Sequence, residues 1–243
     1  MNTAGSPTLY MIPVPISSDA LHTLPAYVID IVRSLDFFVA ERAKTARHFL
    51  KAVDMKRPLQ TVEVIEMDEK NPTETETALQ NALKAGKNAG ILSEAGCPGV
   101  ADPGARYAVL AHRMGARVAP LVGPSSLLLA LMASGMNGQR FAFHGYLSPK
   151  RPELAKDLRR LEQNAERNDQ TQLFIETPYR SQMVLEVALD ALRPDTRFCF
   201  AQDITGLHEM IRSRTIAEWR KQRDVNMADK LPTVFLIACP NKS

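Results

Sequence analysis

Short apolar runs alternate with amphipathic helical patterns along this chain, and that alternation restricts it to an α/β architecture. In the first half, strands are expected at 9–14, 35–40, 61–67, 89–93 and 118–122. Helices are expected at 23–34, 43–53, 73–84 and 105–114. The 35–40 run is apolar apart from Asp36 near its start, the pattern of a strand buried on both faces of a parallel sheet. Ala46, Phe49, Leu50 and Val53 fall on one side of the second helix. Thr73 and Glu76 have capping-box spacing, and Gly86 and Gly115 are placed to stop helices.

The second half differs in texture. Strands are expected at 140–146, 172–176, 198–203, 207–212 and 233–239, with a hairpin turning at Gly206, so the sheet there is mixed or antiparallel. A charged helix lies between 148 and 168, and Thr215 with Glu218 caps a short helix carrying Trp219. Between the halves, Gly123-Pro124-Ser125-Ser126 runs into a helix at 127–133. That helix is apolar all round and should be buried, in a core or at a dimer seam. A chain of 243 residues can build two such units, divided as 1–122 and 123–243.

The segment Ser93-Glu94-Ala95-Gly96-Cys97-Pro98-Gly99-Val100-Ala101-Asp102-Pro103-Gly104 follows a buried strand end, Ile91-Leu92. Its glycines let another molecule approach the backbone, and its prolines stiffen the loop. Asp102 and Pro103 read as N-cap and first residue of the next helix. A rigid loop at the carboxyl end of a strand is where open α/β sheets bind ligands.

Several classes fall away. The chain has no GxGxxG, no P-loop, no HExxH, no GxSxG and no EF-hand loop. Cys97, Cys199 and Cys239 lie far apart without metal-ligand spacing, which reads as reduced thiols, no metal site and a cytoplasmic setting. No apolar run reaches the ~18 residues of a membrane span, and the polar start at 1–7 has no secretory pattern. The net charge of +3 decides nothing about nucleic acid, because a local patch matters more than the sum.

Five ordered segments resemble the tetrapyrrole methylases, the class III S-adenosylmethionine-dependent methyltransferases. They are Leu9-Tyr10-Met11-Ile12-Pro13-Val14-Pro15-Ile16, the 93–104 loop, Leu121-Val122-Gly123-Pro124-Ser125-Ser126, Arg140-Phe141-Ala142-Phe143-His144-Gly145-Tyr146-Leu147, and Phe174-Ile175-Glu176-Thr177-Pro178-Tyr179-Arg180. The loop resembles the SDAGxPxxSDPG segment of the branch that methylates a ribose 2′-oxygen of small-subunit ribosomal RNA. The resemblance implies two α/β domains, a parallel amino-terminal sheet, a mixed carboxyl-terminal sheet, S-adenosylmethionine in the interdomain cleft, and a homodimer. It also implies that Pro15, Glu94, Gly96 and Pro98 line one side of the cofactor site, with Ser125 and Ser126 beneath. Glu176, Thr177 and Pro178 would come from the second domain, and Pro232 and Thr233 would close the site.

The acceptor motifs depart from that branch. Ser17 and Ser18 stand where it has Gly-Asn, only Glu41 survives of its Glu-Asp-Thr-Arg run, and Gln202-Asp203-Ile204-Thr205-Gly206 replaces Arg-Glu-Leu-Thr-Lys. The chain also ends soon after its last strand, without the carboxyl-terminal extension of some ribosomal members. A ribosomal RNA ribose is the first acceptor expected, a small molecule such as a tetrapyrrole the second; a non-catalytic cofactor-binding module is the other reading.

Methyl transfer to a hydroxyl needs a group to take its proton. Glu41, Asp203, Glu209, His144 and Tyr179 are candidates, with Glu41 and Glu209 preferred for catalysis. Glu209 would share a strand face with Leu207 and Ile211. Glu94 and Glu176 could accept from cofactor hydroxyls or ammonium, or Glu94 could bond neighbouring loop N–H groups. His144 reads as a satisfied core or rim histidine, and Cys97 as a small loop residue. Lys150, Arg151, Lys156, Arg159 and Arg160 are interleaved with acids; Lys44, Arg47 and His48 are not, and make the better phosphate-contacting face.

Overall fold

The structure is a computed structural model that describes residues 6–68, 70–222, 226–228 and 230–240. Most of the polar start lies outside the described residues. The chain divides into two compact units, Met1–Ser125 and Ser126–Ser243.

Unit 1 is a five-stranded parallel sheet in the order β3-β2-β4-β1-β5, built from β1 (Thr8–Ile12), β2 (Phe37–Ala40), β3 (Glu63–Glu66), β4 (Ala89–Leu92) and β5 (Arg117–Pro120). Each strand alternates its side chains between two cores. Ile12, Phe38, Ala40 and Leu92 pack with α1 (Ala26–Ser34) and α2 (Ala43–Ala52). Leu9, Phe37, Val39, Ala89 and Ile91 pack on the other face with α3 (Thr73–Lys84) and α4 (Ala105–Arg113). The chain therefore leaves the neighbouring strands β1 and β4 toward opposite faces. That reversal opens a crevice at their carboxyl ends, the ligand position of doubly wound sheets.

Two helix starts differ from the sequence expectation. Pro72 already has helical dihedrals (φ −69°, ψ −11°), so Thr73 lies inside α3 and caps nothing. Glu76 turns instead to Arg106 at 3.3 Å. Likewise α4 begins at Ala105 with Gly104 as N-cap, so Asp102 is not its cap and Pro103 precedes it.

Unit 2 has a mixed sheet in the order β6-β7-β10-β8-β9: β6 (Phe141–Tyr146), β7 (Thr171–Glu176), β8 (Arg197–Gln202), β9 (Met210–Thr215) and β10 (Thr233–Ala238). Among these strands only the β6–β7 pair is parallel. Phe174, Phe198, Phe200 and Phe235 form a core with α6 (Arg151–Asn168), α7 (Ser181–Ala191) and α8 (Ile216–Lys221). The Thr215/Glu218 capping box is present, and buried Trp219 donates to the Phe198 carbonyl at 2.8 Å.

The hydrophobic helix α5 (Ser126–Ser134) packs on this sheet through Ala130, Leu131 and Ser134. It is not buried all round, as its composition predicts: Leu128 is 51% and Met132 79% exposed in the single chain. One face of a helix suffices to cover a sheet, and among the described residues of this unit nothing covers the other.

Candidate functional site

The crevice between β1 and β4 is walled by two loops that pair with each other. Val14 and Gly96 exchange backbone hydrogen bonds at 2.9 and 3.2 Å, an isolated antiparallel bridge that ties the loop after β1 to the loop after β4. Gly96 makes this turn with φ +72°, a left-handed conformation that glycine adopts without steric cost. Ser93, buried at the end of β4, donates its hydroxyl to the Gly96 carbonyl at 3.1 Å.

Two carboxylates hold the 93–104 loop. Asp102 Oδ1 accepts the Gly99 and Gly104 N–H groups, both at 2.7 Å. This clamp requires glycine at 104, where an added Cβ would sit 2.8 Å from Asp102 Oδ1 and 2.9 Å from Gly99 N. Asp102 Oδ2 is buried and has no hydrogen-bond partner among the described residues. At the loop's start, Glu41 Oε2 accepts the Glu94 N–H at 3.0 Å. Burial pushes both the Asp102 and the Glu41 carboxyl pKa upward, because desolvation disfavours the charged form. For Glu41 the neighbouring Asp102 and Glu94 carboxylates add to the rise.

A cavity of about 340 Å³ opens beside these loops. Val14, Pro15, Ile16, Leu21, Ala46 and Phe49 form apolar walls, and Ser18, Thr45, His48, Ser93 and Glu94 supply polar groups. Its size and lining suit a small-molecule site. Glu94 is exposed at its edge, and Glu94 Oε1 accepts from the Thr45 hydroxyl at 3.1 Å. It therefore bonds a side chain of α2 rather than its own loop's N–H groups. Thr45 and His48 escaped the sequence reading as cavity residues. Their signal was helical spacing: Thr45, His48 and Ala52 share one face of α2.

Of the expected cofactor residues in unit 1, Pro15 and Glu94 line this cavity, and Gly96 forms its bridge. Pro98 is buried in the same loop. The Cys97 thiol faces the Pro124 carbonyl at 3.4 Å, and burial raises its pKa, which suits a small loop residue rather than a nucleophile. Ser125 ends unit 1, and Ser126 opens α5 in unit 2.

The expected residues of unit 2 gather at one end of the neighbouring interior strands β7 and β10. Glu176 pairs in register with Thr233, and Thr177, Pro178 and Pro232 flank them. Thr233 Oγ1 accepts from Ser181 at 3.0 Å and from Gln202 at 3.1 Å. The buried Glu176 carboxylate already accepts the Thr177 N–H and hydroxyl and pairs with Arg180 at 3.0 Å.

Glu209 is placed differently from its expectation. It lies in the exposed loop before β9, not on a strand face with Leu207 and Ile211. Asp203 and Thr205 take left-handed conformations there. Asp203 accepts the His208 N–H at 2.9 Å and Glu209 accepts the Thr205 N–H at 2.8 Å, so the two carboxylates close the hairpin and delay the strand. Leu207 is 84% exposed. His144 is satisfied by Gln172 at 2.7 Å.

A larger depression, about 650 Å³, lies in unit 2 near Asn137, Asp169, Arg197 and Cys239. It contains none of the expected site residues, and the crevice is the better candidate because strand topology and loop chemistry coincide there. Among the described residues no cluster of His, Cys, Asp and Glu could hold a metal ion, and no helix is long and apolar enough to cross a membrane.

Comparison with known proteins bears on the family and the fold. Residues 8–219 match the family model described as Tetrapyrrole (Corrin/Porphyrin) Methylases. The chain is 30% identical over 210 residues to a "Ribosomal RNA small subunit methyltransferase I" of Bacillus subtilis, covering 86% of this chain and 68% of that protein. It is 30% identical over 233 residues to the protein of the same name in Mesorhizobium japonicum, covering 96% and 74%. Among solved structures, a diphthine synthase superposes with TM-score 0.65 at 13% identity, covering 95% of this chain and 90% of that one. The methyltransferase CobJ does so with TM-score 0.60 at 21% identity, covering 97% and 94%. At those identities the structural likeness speaks for the fold.

Proposed function

The chain belongs to the tetrapyrrole methylase family of S-adenosylmethionine-dependent methyltransferases, and on that premise we propose that it methylates a ribose 2′-hydroxyl of small-subunit ribosomal RNA. The observation that carries the site assignment is the bridged crevice between β1 and β4, where Pro15, Ser93 and Glu94 meet in one cavity at the topological switch point. The acceptor assignment draws on relatives named for ribosomal RNA methylation.

The residues present fit the methyl donor. Apolar walls from Pro15, Ile16 and Phe49 suit a flat base, and Glu94 offers acceptors to hydroxyl or ammonium groups. When bound, S-adenosylmethionine supplies an activated methyl group on a sulfonium; the protein's task is positioning and electrostatics.

In this reading Glu94 orients the donor, and Ser18, Thr45 and Ser93 complete the polar rim. Gly96 and Pro98 shape the loop. Glu41 positions Glu94 by holding its N–H, rather than taking the acceptor's proton. Exposed Glu209, occupied in closing its hairpin, is structural. In unit 2 the buried Glu176 and Thr233, with Thr177, Pro178 and Pro232 beside them, hold the ends of β7 and β10, and Ser125 and Ser126 join the two units along the chain. Exposed Leu128 and Met132 on α5 support assembly with a second copy of the chain.

The test is methylation of bulk RNA from a strain lacking the gene, using donor labelled in its methyl group. Label in an alkali-resistant dinucleotide of small-subunit ribosomal RNA is expected, because 2′-O-methylation blocks cleavage at that ribose. Label that enters a tetrapyrrole and not RNA would move the acceptor to the small-molecule class.

A further inference from the structure

Helix α2 carries positive charge that no ion pair offsets among the described residues. Lys44, Arg47, His48 and Lys51 follow the i, i+3, i+4, i+7 spacing of one helix face. All four are exposed. The buried face of the same helix is Ala46, Phe49 and Leu50, and Thr45, His48 and Ala52 face the cavity. His48 thus stands where the basic face meets the cavity mouth.

Elsewhere in unit 1 four arginines are matched: Arg33 with Asp30, Arg42 with Glu66, Arg57 with Asp36, and Arg106 with Glu76. Exposed Arg113, on α4, and Arg117, at the start of β5, stand on separate elements and form no basic row. The α2 helix contains no acidic residue, and among the described residues none of its four basic side chains lies within ion-pair distance of a carboxylate. The charged helix α6 interleaves acids with its bases. There Arg151 pairs with Glu186 and Arg160 with Asp157. Like charges three and four residues apart destabilise a helix, so α2 holds a repulsion that an external polyanion relieves.

We propose that the Lys44–Arg47–Lys51 face of α2 grips the phosphate backbone of the acceptor RNA and delivers the target nucleotide to the cavity past His48. This rests on the RNA reading above. The face spans about 10 Å of helix axis, room for a short run of phosphates. Phosphate contacts fix register and orientation without reading sequence, which leaves recognition of the nucleotide to groups at the cavity.

The experiment compares the full-length protein with a Lys44→Ala/Arg47→Ala/Lys51→Ala variant. Alanine at exposed positions preserves the helix, and none of the three lines the cavity. A second variant, Lys84→Ala/Lys87→Ala/Arg117→Ala, removes the same charge at the opposite, amino edge of the sheet, ahead of β4 and at the start of β5. The probe is in vitro transcribed small-subunit ribosomal RNA, with affinity measured across a salt series. The α2 variant is expected to bind about tenfold or more weakly. Its log–log salt slope should fall by about 2–3, at roughly 0.7–0.9 for each phosphate that the helix no longer neutralises. Its affinity for S-adenosylhomocysteine stays unchanged, and the amino-edge variant keeps the wild-type slope. Equal slopes in the α2 variant and wild type overturn the proposal while leaving the RNA reading intact, and so does an equal loss in the amino-edge variant. Wild-type protein that shows no salt-dependent RNA binding overturns the RNA reading, and the proposal with it.

Discussion

Replacing Asp102 with alanine should open the 93–104 loop. Two N–H groups converge on Asp102 Oδ1 at 2.7 Å, the short range of charge-assisted bonds. Hydrogen bonds to a charged group contribute about 1.5–3 kcal/mol each, so the gross loss is about 3–6 kcal/mol. Two effects reduce it. The carboxylate is desolvated, as its raised pKa shows, and alanine removes that burial cost. Half-buried Gly99 can recruit water, whereas the buried Gly104 N–H cannot. The net loss is about 2–4 kcal/mol, or about 4–16 °C in Tm for a chain of this size. Thermal and urea unfolding measure it. Calorimetry with S-adenosylhomocysteine should show affinity at least tenfold weaker, because the loop that carries Glu94 and Gly96 has lost its clamp. Asp102→Asn keeps one acceptor and should lose less than alanine. The pH dependence provides a separate check. A raised folded-state pKa means that Asp102 contributes more stability when protonated, and loses it as pH rises from its ordinary value of 3.8 through the folded value. Wild-type stability relative to Asp102→Asn should therefore fall as pH rises through that window. A melting temperature within about 1 °C of wild type for the alanine variant, with unchanged ligand affinity, would refute the clamp.

Three further outcomes are expected. Glu41→Gln retains an acceptor for the Glu94 N–H, so kcat should stay within a few-fold of wild type while Glu41→Ala raises KM for the donor; a Gln variant with kcat abolished and KM unchanged would instead make Glu41 the proton acceptor. Burial pushes the Cys199 thiol up to about 12, so thiol titration at pH 8 should leave it unreacted until denaturant is added; reaction at the rate of a free thiol would contradict its burial. Trp219→Phe removes the donor to the Phe198 carbonyl from a buried core and should cost about 2–3 kcal/mol in urea unfolding; a change under about 0.5 kcal/mol would mean that the carbonyl finds another donor.

Most strands of both sheets could be read from the chain, because apolar runs and their alternation are local properties. The binding loop was legible for the same reason: glycine and proline shape a backbone through their own dihedrals. Helix starts were less legible. Thr73 with Glu76 has the spacing of a cap, yet Pro72 had already turned the backbone helical and Arg106 captured the glutamate. Asp102 has cap chemistry, yet the two glycine N–H groups that it holds belong to the loop. In both cases a side chain had several partners within reach, and packing chose among them.

By itself, then, the sequence determined the alternation of elements, the glycine–proline loop after β4 and the acid-free face of α2, all set by neighbours along the chain. Only the tertiary structure decided that β1 and β4 lie side by side with their helices on opposite faces, that Val14 bridges Gly96, and that Glu41 reaches the backbone of Glu94. It also withdrew Glu209 from a strand into a hairpin loop and left Leu128 and Met132 uncovered. The strand adjacency, the Val14–Gly96 bridge and the Glu41–Glu94 bond depend on contacts between residues tens of positions apart, which no local propensity encodes, whereas the Glu209 turn is local and was decided by side-chain bonds competing with strand pairing.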